Sequence, residues 1–163
     1  MEATVSEQGL SGWVQLLGRL PHADVHPLLE QATVFVLPSV VASNGDREGM
    51  PEVLIEAMAK EVPVVATSSV GIGELVKDGA GLLVPPRDAL ALAEAVEQVI
   101  TADPAAQQAM GGTGRQIVEQ EFDVHHLANK LWSLWHSIPS MRRQPVRMAL
   151  VLSRSTAIGK WSK

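Results

Sequence analysis

Cysteine is absent from this chain of 163 residues, which excludes both a disulfide framework and a thiolate metal site. The same absence fits a reducing compartment. An excess of basic residues is also missing, because the formal net charge is -5 and no long run of one sign occurs. A nucleic-acid-binding protein would present a basic face, so we expect no nucleic-acid partner.

Long hydrophobic stretches are absent as well. No segment approaches the roughly 20 apolar residues that a membrane-spanning helix needs. The first residues, MEATVSEQGLSGW, lack the basic start and apolar run of a secretory signal. We therefore expect a cytoplasmic protein, with peripheral association at the inner face of the membrane as an alternative. The hydrophobic fraction of 46% and the charged fraction of 19% are those of an ordinary globular domain.

Short apolar runs alternate with helical patterns along the chain. Runs typical of buried strands cover residues 13–17, 34–37, 63–66 and 81–84. Helical patterns cover residues 22–32, 51–60, 71–77, 88–101, 104–120 and 124–137. Asp88 is well placed as the N-cap of the helix over 88–101. This order predicts an α/β fold with a Rossmann-like parallel sheet flanked by helices. We expect a polar segment over residues 1–12, the α/β domain over 13–138 and an irregular or disordered tail over 139–163.

The segment Asn44–Glu56, NGDREGMPEVLIE, joins a glycine-containing loop to a helix start after a buried strand. Such a junction leaves unpaired backbone N–H groups and the positive end of the helix dipole facing outward. It is therefore a natural seat for a phosphate. Gly49 lets a ligand approach the backbone closely, and we expect Pro51 at the first helical position, where its missing N–H costs no hydrogen bond.

Two glutamates, Glu48 and Glu56, flank this helix start. Glu56 lies roughly 7 to 8 Å along the helix axis from Pro51. A carboxylate would repel a diphosphate but would accept hydrogen bonds from two adjacent hydroxyls such as a ribose diol. Glu48 is correspondingly placed for the hydroxyls of a sugar beyond the phosphates. The alternative is that both carboxylates are only solvated or stabilise the helix dipole.

The wider segment EGMPEVLIEAMAKEVPVVAT resembles the retaining glycosyltransferases called glycosyl transferases group 1, whose mark is a pair of glutamates separated by seven residues. The flanking motifs LLGRL, VFVLPS and GIGELVKDGAGLLVPPRD agree in order, and the resemblance covers Trp13 to Ile138. It implies the C-terminal half of a GT-B fold, incomplete at its N-terminus. It also implies transfer of a hexosyl group from a UDP- or GDP-linked sugar to a glycan, lipid or small-molecule acceptor, with retention of configuration and without a metal or other cofactor.

The resemblance assigns roles to individual residues. Glu48 matches the catalytic-site glutamate that contacts the donor sugar, and Glu56 matches the one that binds the ribose hydroxyls. Backbone amides line the sugar and phosphate at Gly49, Met50 and Pro51.

Four further residues take supporting roles by the same resemblance. Gly18 and Arg19 match positions near the base, while Val53 and Leu54 sit behind the diphosphate and pack the helix onto the sheet. The family's basic pair that clamps the diphosphate has no counterpart in Met1–Gly12, which contains no Lys or Arg. Loss of two charge-assisted contacts would cost roughly 3 to 6 kcal/mol.

We expect the acceptor-binding domain of the family to be missing from this chain too. We therefore expect this chain to be inactive alone and to need a chain that carries the missing N-terminal domain. Two alternatives stay open: a non-catalytic module that binds nucleotide sugars, and a degenerate fragment without function.

The histidines and tryptophans suggest packing roles. Trp132 and Trp135 follow a helical spacing with neighbouring leucines and predict an apolar stripe that is exposed in part. The histidines show no metal-ligand spacing shared with a carboxylate, so we expect surface or packing roles. They are His22, His26, His125, His126 and His136. His22 lies near the expected base site.

Overall fold

The structure is a computed structural model that describes residues 2–40, 49–69, 71–77 and 79–138. Glu48 and the expected tail over 139–163 therefore lie outside the described residues. The elements follow one another as α1 (Glu2–Glu7), α2 (His22–Gln31), β1 (Phe35–Leu37), α3 (Glu52–Ala59), β2 (Val64–Thr67), α4 (Ile72–Leu75), β3 (Gly81–Val84), α5 (Ala89–Ile100), α6 (Pro104–Ile117), a π-helical turn (Val118–Phe122) and α7 (Val124–Ser137).

The three strands form one parallel sheet in the order β1-β2-β3. Phe35 pairs with Val64, which in turn pairs with Gly81. Parallel neighbours need a crossover connection, and α3 and α4 supply it here. The carboxyl ends of all three strands consequently lie at one edge of the sheet, as expected for the predicted α/β fold with flanking helices.

The core lies on both faces of β2, all of whose residues are buried. Val64 and Ala66 belong to the cluster formed with α3, where Leu54 is fully buried. Val65, which points to the other face, packs with Val99 of α5. Successive side chains of a strand point to opposite faces, so an uninterrupted apolar run is what a strand covered on both sides requires.

Aspartates cap three of the described helix starts, those of α5, α6 and α7, the last through Asp123, which accepts from the backbone N–H groups of His125 and His126 at 2.9 Å. Asp88 accepts a hydrogen bond at 2.9 Å from the backbone N–H of Ala91 at the start of α5, which confirms its predicted capping role. Asp103 does the same for α6, accepting from Ala105 at 2.7 Å, with Pro104 in the first turn. Each bond satisfies one of the N–H groups that a helix start leaves unpaired.

A glycine allows α6 to approach the end of α3 closely. A Cβ built on Gly111 would lie 1.9 Å from the carbonyl oxygen of Glu61, whereas one built on neighbouring Gly112 would meet nothing within 4 Å. Gly114 is also buried and faces Met58 of α3. The absence of a side chain at Gly111 therefore sets the distance between these two elements.

Some predicted helix boundaries are wrong at their ends. The helix expected over residues 104–120 stops at Ile117, and the chain continues as the π-helical turn. Within that turn Glu121 accepts a charged hydrogen bond from the Lys77 ammonium group at 2.8 Å. The helix expected over 71–77 is only the four residues of α4.

The strand predicted for residues 13–17 is wrong. The structure has no regular element there, and Trp13 and Leu17 are 89% and 43% exposed. A strand needs a neighbour to pair with, and within the described residues β1 pairs only with β2. The preceding segment, expected to be merely polar, contains α1, none of whose residues is buried.

The described part of the chain falls into two compact units that divide after Leu127, inside α7. In the second unit the rings of Trp132 and His136 lie 4.2 Å apart. Leu131 and Trp132 are 61% and 67% exposed, as the apolar stripe predicted. Among the described helices, none combines the length and the apolar character needed to cross a bilayer.

Candidate functional site

The start of α3 is the first part of the site. Pro51 is buried with φ -70° and ψ 118°, so it precedes the helix and is not its first residue, contrary to our expectation. The extended ψ angle turns the chain into the helix, and its carbonyl accepts from Leu54 at 3.1 Å. Among the described residues, no side chain caps this helix start. The N-terminal opening of α3 is therefore made of backbone, which is the arrangement that binds anions.

A glycine from another loop braces this opening. Gly71, after β2, has φ +90°, and a Cβ built on it would lie 2.4 Å from the carbonyl oxygen of Gly49. Only glycine adopts such a backbone angle without strain, and only glycine leaves room for Gly49. The loops that follow β1 and β2 are thus in direct contact at Gly49 and Met50.

Glu56 contributes a carboxylate on α3. Its Oε1 lies 2.7 Å from Nε2 of His22, at the first residue of α2, and the Glu56 side chain is 22% exposed. The carboxylate is therefore held in place but still reachable from solvent. His22 is a site residue to which the motif gave no role. Its pairing with Glu56 spans 34 residues, so only its proximity to the expected base site hinted at it.

A second link holds α2 against α3. The Lys60 ammonium group, just after α3, donates to a carboxylate oxygen of Glu30 on α2. This hydrogen bond and the positive charge of Lys60 lower the pKa of Glu30 below its ordinary value. Lys60 is therefore engaged with Glu30, and the Glu56 carboxylate has a histidine as its partner instead of a lysine.

The structure also brings His26 to the same place. His22, His26 and Glu56 each offer one ligand atom, and these atoms all lie within 4.8 Å of one another. The sequence spacing of the histidines gave no sign of this arrangement, and their expected surface or packing roles stay a prediction. Sequence spacing could not reveal the arrangement, because the carboxylate comes from a different helix that packs beside the histidine pair.

Two cavities lie at the carboxyl edge of the sheet. A cavity of about 320 Å³ is lined by residues 37–40 after β1. Another of about 180 Å³ lies between the ends of β1, β2 and α5 and includes Thr67, Arg87 and Asp88. The Thr67 hydroxyl donates to the carbonyl of Ser39, which joins the first two strand ends. Ligands of open α/β sheets bind outside the carboxyl ends of strands.

The other expected residues line neither of these two cavities. Val53 is half-buried while Leu54 is fully buried in the core, and Met50 is 40% exposed. Arg19 is exposed. Gly18 lines a cavity of about 760 Å³ together with residues 15–17 and the start of α1. Glu56 does not line this cavity.

Comparison with known proteins supplies the family. Residues 1–102 match the family described as Glycosyl transferases group 1. The chain is 35% identical over 139 residues to a putative colanic acid biosynthesis glycosyltransferase, WcaL, of Salmonella typhimurium, covering 85% of this chain and 34% of WcaL. The chain thus spans about a third of the length of the curated relatives it matches.

Solved structures agree in fold. A sucrose-phosphate synthase from Thermosynechococcus elongatus superposes with a TM-score of 0.70 at 34% identity, covering 83% of this chain and 33% of the synthase. HepE from Anabaena, solved in complex with UDP, gives a TM-score of 0.72 at 26% identity, covering 84% of this chain and 36% of HepE. A second HepE structure contains UDP-glucose.

Proposed function

Since this chain belongs to the glycosyl transferases group 1 family, we propose that it is the part of a GT-B glycosyltransferase that binds the nucleotide sugar. The donor is a UDP- or GDP-linked hexose, and the complete enzyme transfers the hexosyl group to an acceptor with retention of configuration. The binding of UDP by HepE, a structural neighbour at 26% identity, supports a nucleoside diphosphate as the ligand.

The Glu56 carboxylate carries this proposal. It is partly exposed, it is oriented by His22, and it lies on the helix whose start is open backbone. A ribose diol can donate both of its hydroxyls to one carboxylate, and each such charge-assisted bond is worth roughly 1.5 to 3 kcal/mol. A single nucleoside diphosphate would place its diphosphate at the α3 opening and its ribose at Glu56.

The diphosphate is held mainly by neutral groups. Backbone N–H groups at Gly49 and Met50, supported by Gly71, face the phosphates in this proposal. The buried hydroxyl of Ser69, on the same loop as Gly71, has no hydrogen-bond partner among the described residues. Binding without a cationic clamp is weak, and we propose that the chain alone does not transfer sugar.

Calorimetric titration of the full chain with UDP, GDP and their glucose or mannose conjugates tests the proposal. Glu56→Ala should weaken binding of the preferred nucleotide about a hundredfold, because roughly 3 kcal/mol of hydrogen bonding to the diol is lost. Glu94→Ala is the control, since Glu94 is an exposed acid on α5 and has no role in the proposed site. Absence of binding at millimolar ligand, or equal effects of the two variants, would contradict the proposal.

Gly71→Ala tests the phosphate end separately. The added Cβ would displace the Gly49 carbonyl, so nucleotide affinity should fall while Gly73→Ala, whose Cβ meets nothing within 4 Å, keeps it. A thermal melt of each variant verifies that both fold. Addition of an N-terminal half in trans, followed by an assay for sugar transfer, then separates a catalytic half from a module that only binds.

A further inference from the structure

His22 and His26 present their rings on one side of α2. They lie four positions apart, so they share a helix face, and their ring centroids are 5.0 Å apart at an angle of 67°. Glu56 reaches them from α3, and the three ligand atoms lie within 4.8 Å of one another. Two imidazoles and one carboxylate from two packed helices therefore converge on one point.

These are the donors that a borderline first-row cation prefers. Zinc binds imidazole nitrogen and carboxylate oxygen at roughly 2.0 to 2.2 Å, and in tetrahedral geometry its ligand atoms stand about 3.3 Å apart. The 2.7 Å between His22 and Glu56 must widen slightly, and His26 must turn inward. The His22 side chain is 57% exposed, which leaves room around its ring for this adjustment.

We propose that His22, His26 and Glu56 form a binding site for Zn²⁺ or a similar divalent transition metal, with solvent in the remaining coordination position. The metal has no part in sugar transfer. Its effect follows from the shared ligand: a Glu56 carboxylate bonded to the cation cannot accept the ribose hydroxyls. The metal and the nucleotide sugar thus exclude each other. This exclusion rests on the proposed function, whereas the metal site itself does not.

Direct titration of the full chain with ZnCl₂ in a non-chelating buffer tests the site. We expect one equivalent to bind, and His26→Ala should weaken the binding at least tenfold. His125→Ala, which removes an exposed histidine of α7, is the matched control and should leave it unchanged. Circular dichroism establishes that both variants are folded. A native chain that binds no zinc, or a His26→Ala variant that binds as the native chain does, would overturn the site.

Competition tests the exclusion. Zinc should raise the apparent Kd of UDP severalfold more for the native chain than for His26→Ala, because that variant keeps Glu56 but binds zinc weakly. The variant also corrects for any zinc that UDP binds in solution. Equal weakening in both proteins, or tighter UDP binding with zinc, would contradict the exclusion. Zinc binding without any UDP binding would refute the proposed function but leave the metal site standing, and UDP binding without zinc binding would do the reverse.

Discussion

Two apolar stretches of the chain have opposite fates. The residues of β2 are all buried and pair on both sides, while Trp13–Leu17 is exposed and irregular. Their sequences, VVAT and WVQLL, both read as strands. The difference lies in their neighbours. β2 has a strand on each side and a helix on each face, whereas residues 13–17 have no strand partner in the part of the chain that the structure describes. An apolar run therefore forms a strand only where a neighbouring strand can pair with it.

Leucine-to-alanine substitutions should show the largest difference in stability between the two regions. Leu54 is fully buried between α3 and β2. Leu54→Ala should therefore lower the free energy of unfolding by about 2 to 5 kcal/mol, because a cavity replaces the contacts of the side chain. Leu16→Ala, at a side chain 40% exposed, should change it by less than about 0.5 kcal/mol. Urea unfolding followed by circular dichroism measures both. Similar losses would mean that residues 13–17 are packed in solution.

A smaller effect probes how closely the buried region is packed. Gly111→Ala should destabilise the protein by about 1 to 3 kcal/mol, because the new methyl group meets the Glu61 carbonyl and forces α6 away from α3. Gly112→Ala, one residue on and in open space, should stabilise it by about 0.5 to 1 kcal/mol through lower backbone entropy of the unfolded chain. Thermal melts of the two variants measure these changes. A stabilising effect of Gly111→Ala would contradict the close approach of α6 to the end of α3.

The smallest effect on stability belongs to Trp13. Because its side chain is 89% exposed, Trp13→Ser should leave the melting temperature unchanged and reduce self-association, since exposed apolar surface promotes it. Light scattering over a concentration series measures the association. A marked fall in melting temperature would show that Trp13 is buried and that the two regions differ less than the structure indicates.

Local signals in the sequence sufficed where the local chain decides the structure. The aspartate before α5 predicted its start because a side-chain cap lies within three residues of its partner. The run GLLV predicted β3 with both ends correct. Family and α/β class followed from the order of such segments and from the glutamate motif, and the match over residues 1–102 confirms the family.

Features that depend on packing were not accessible in the same way. The contact between His22 and Glu56 arises because α2 lies beside α3, and no pattern within either helix encodes that neighbour. The brace of Gly71 on Gly49 likewise joins two loops. The roles assigned to Glu48, Gly18 and Arg19 stay predictions, the first of them at a position outside the described residues.

The register of the sheet has a kinetic consequence. Val64 pairs with Gly81 on one side and with Phe35 on the other, so fewer residues lie between the ends of the β2–β3 pair than between those of the β1–β2 pair. The entropy lost on closing a loop rises with its length, and contacts between nearby residues form faster. The chain is therefore expected to order from β2 toward its C-terminal side first, with α2 and β1 joining afterwards. In that order the carboxylate of Glu56 meets its histidines only at the last step.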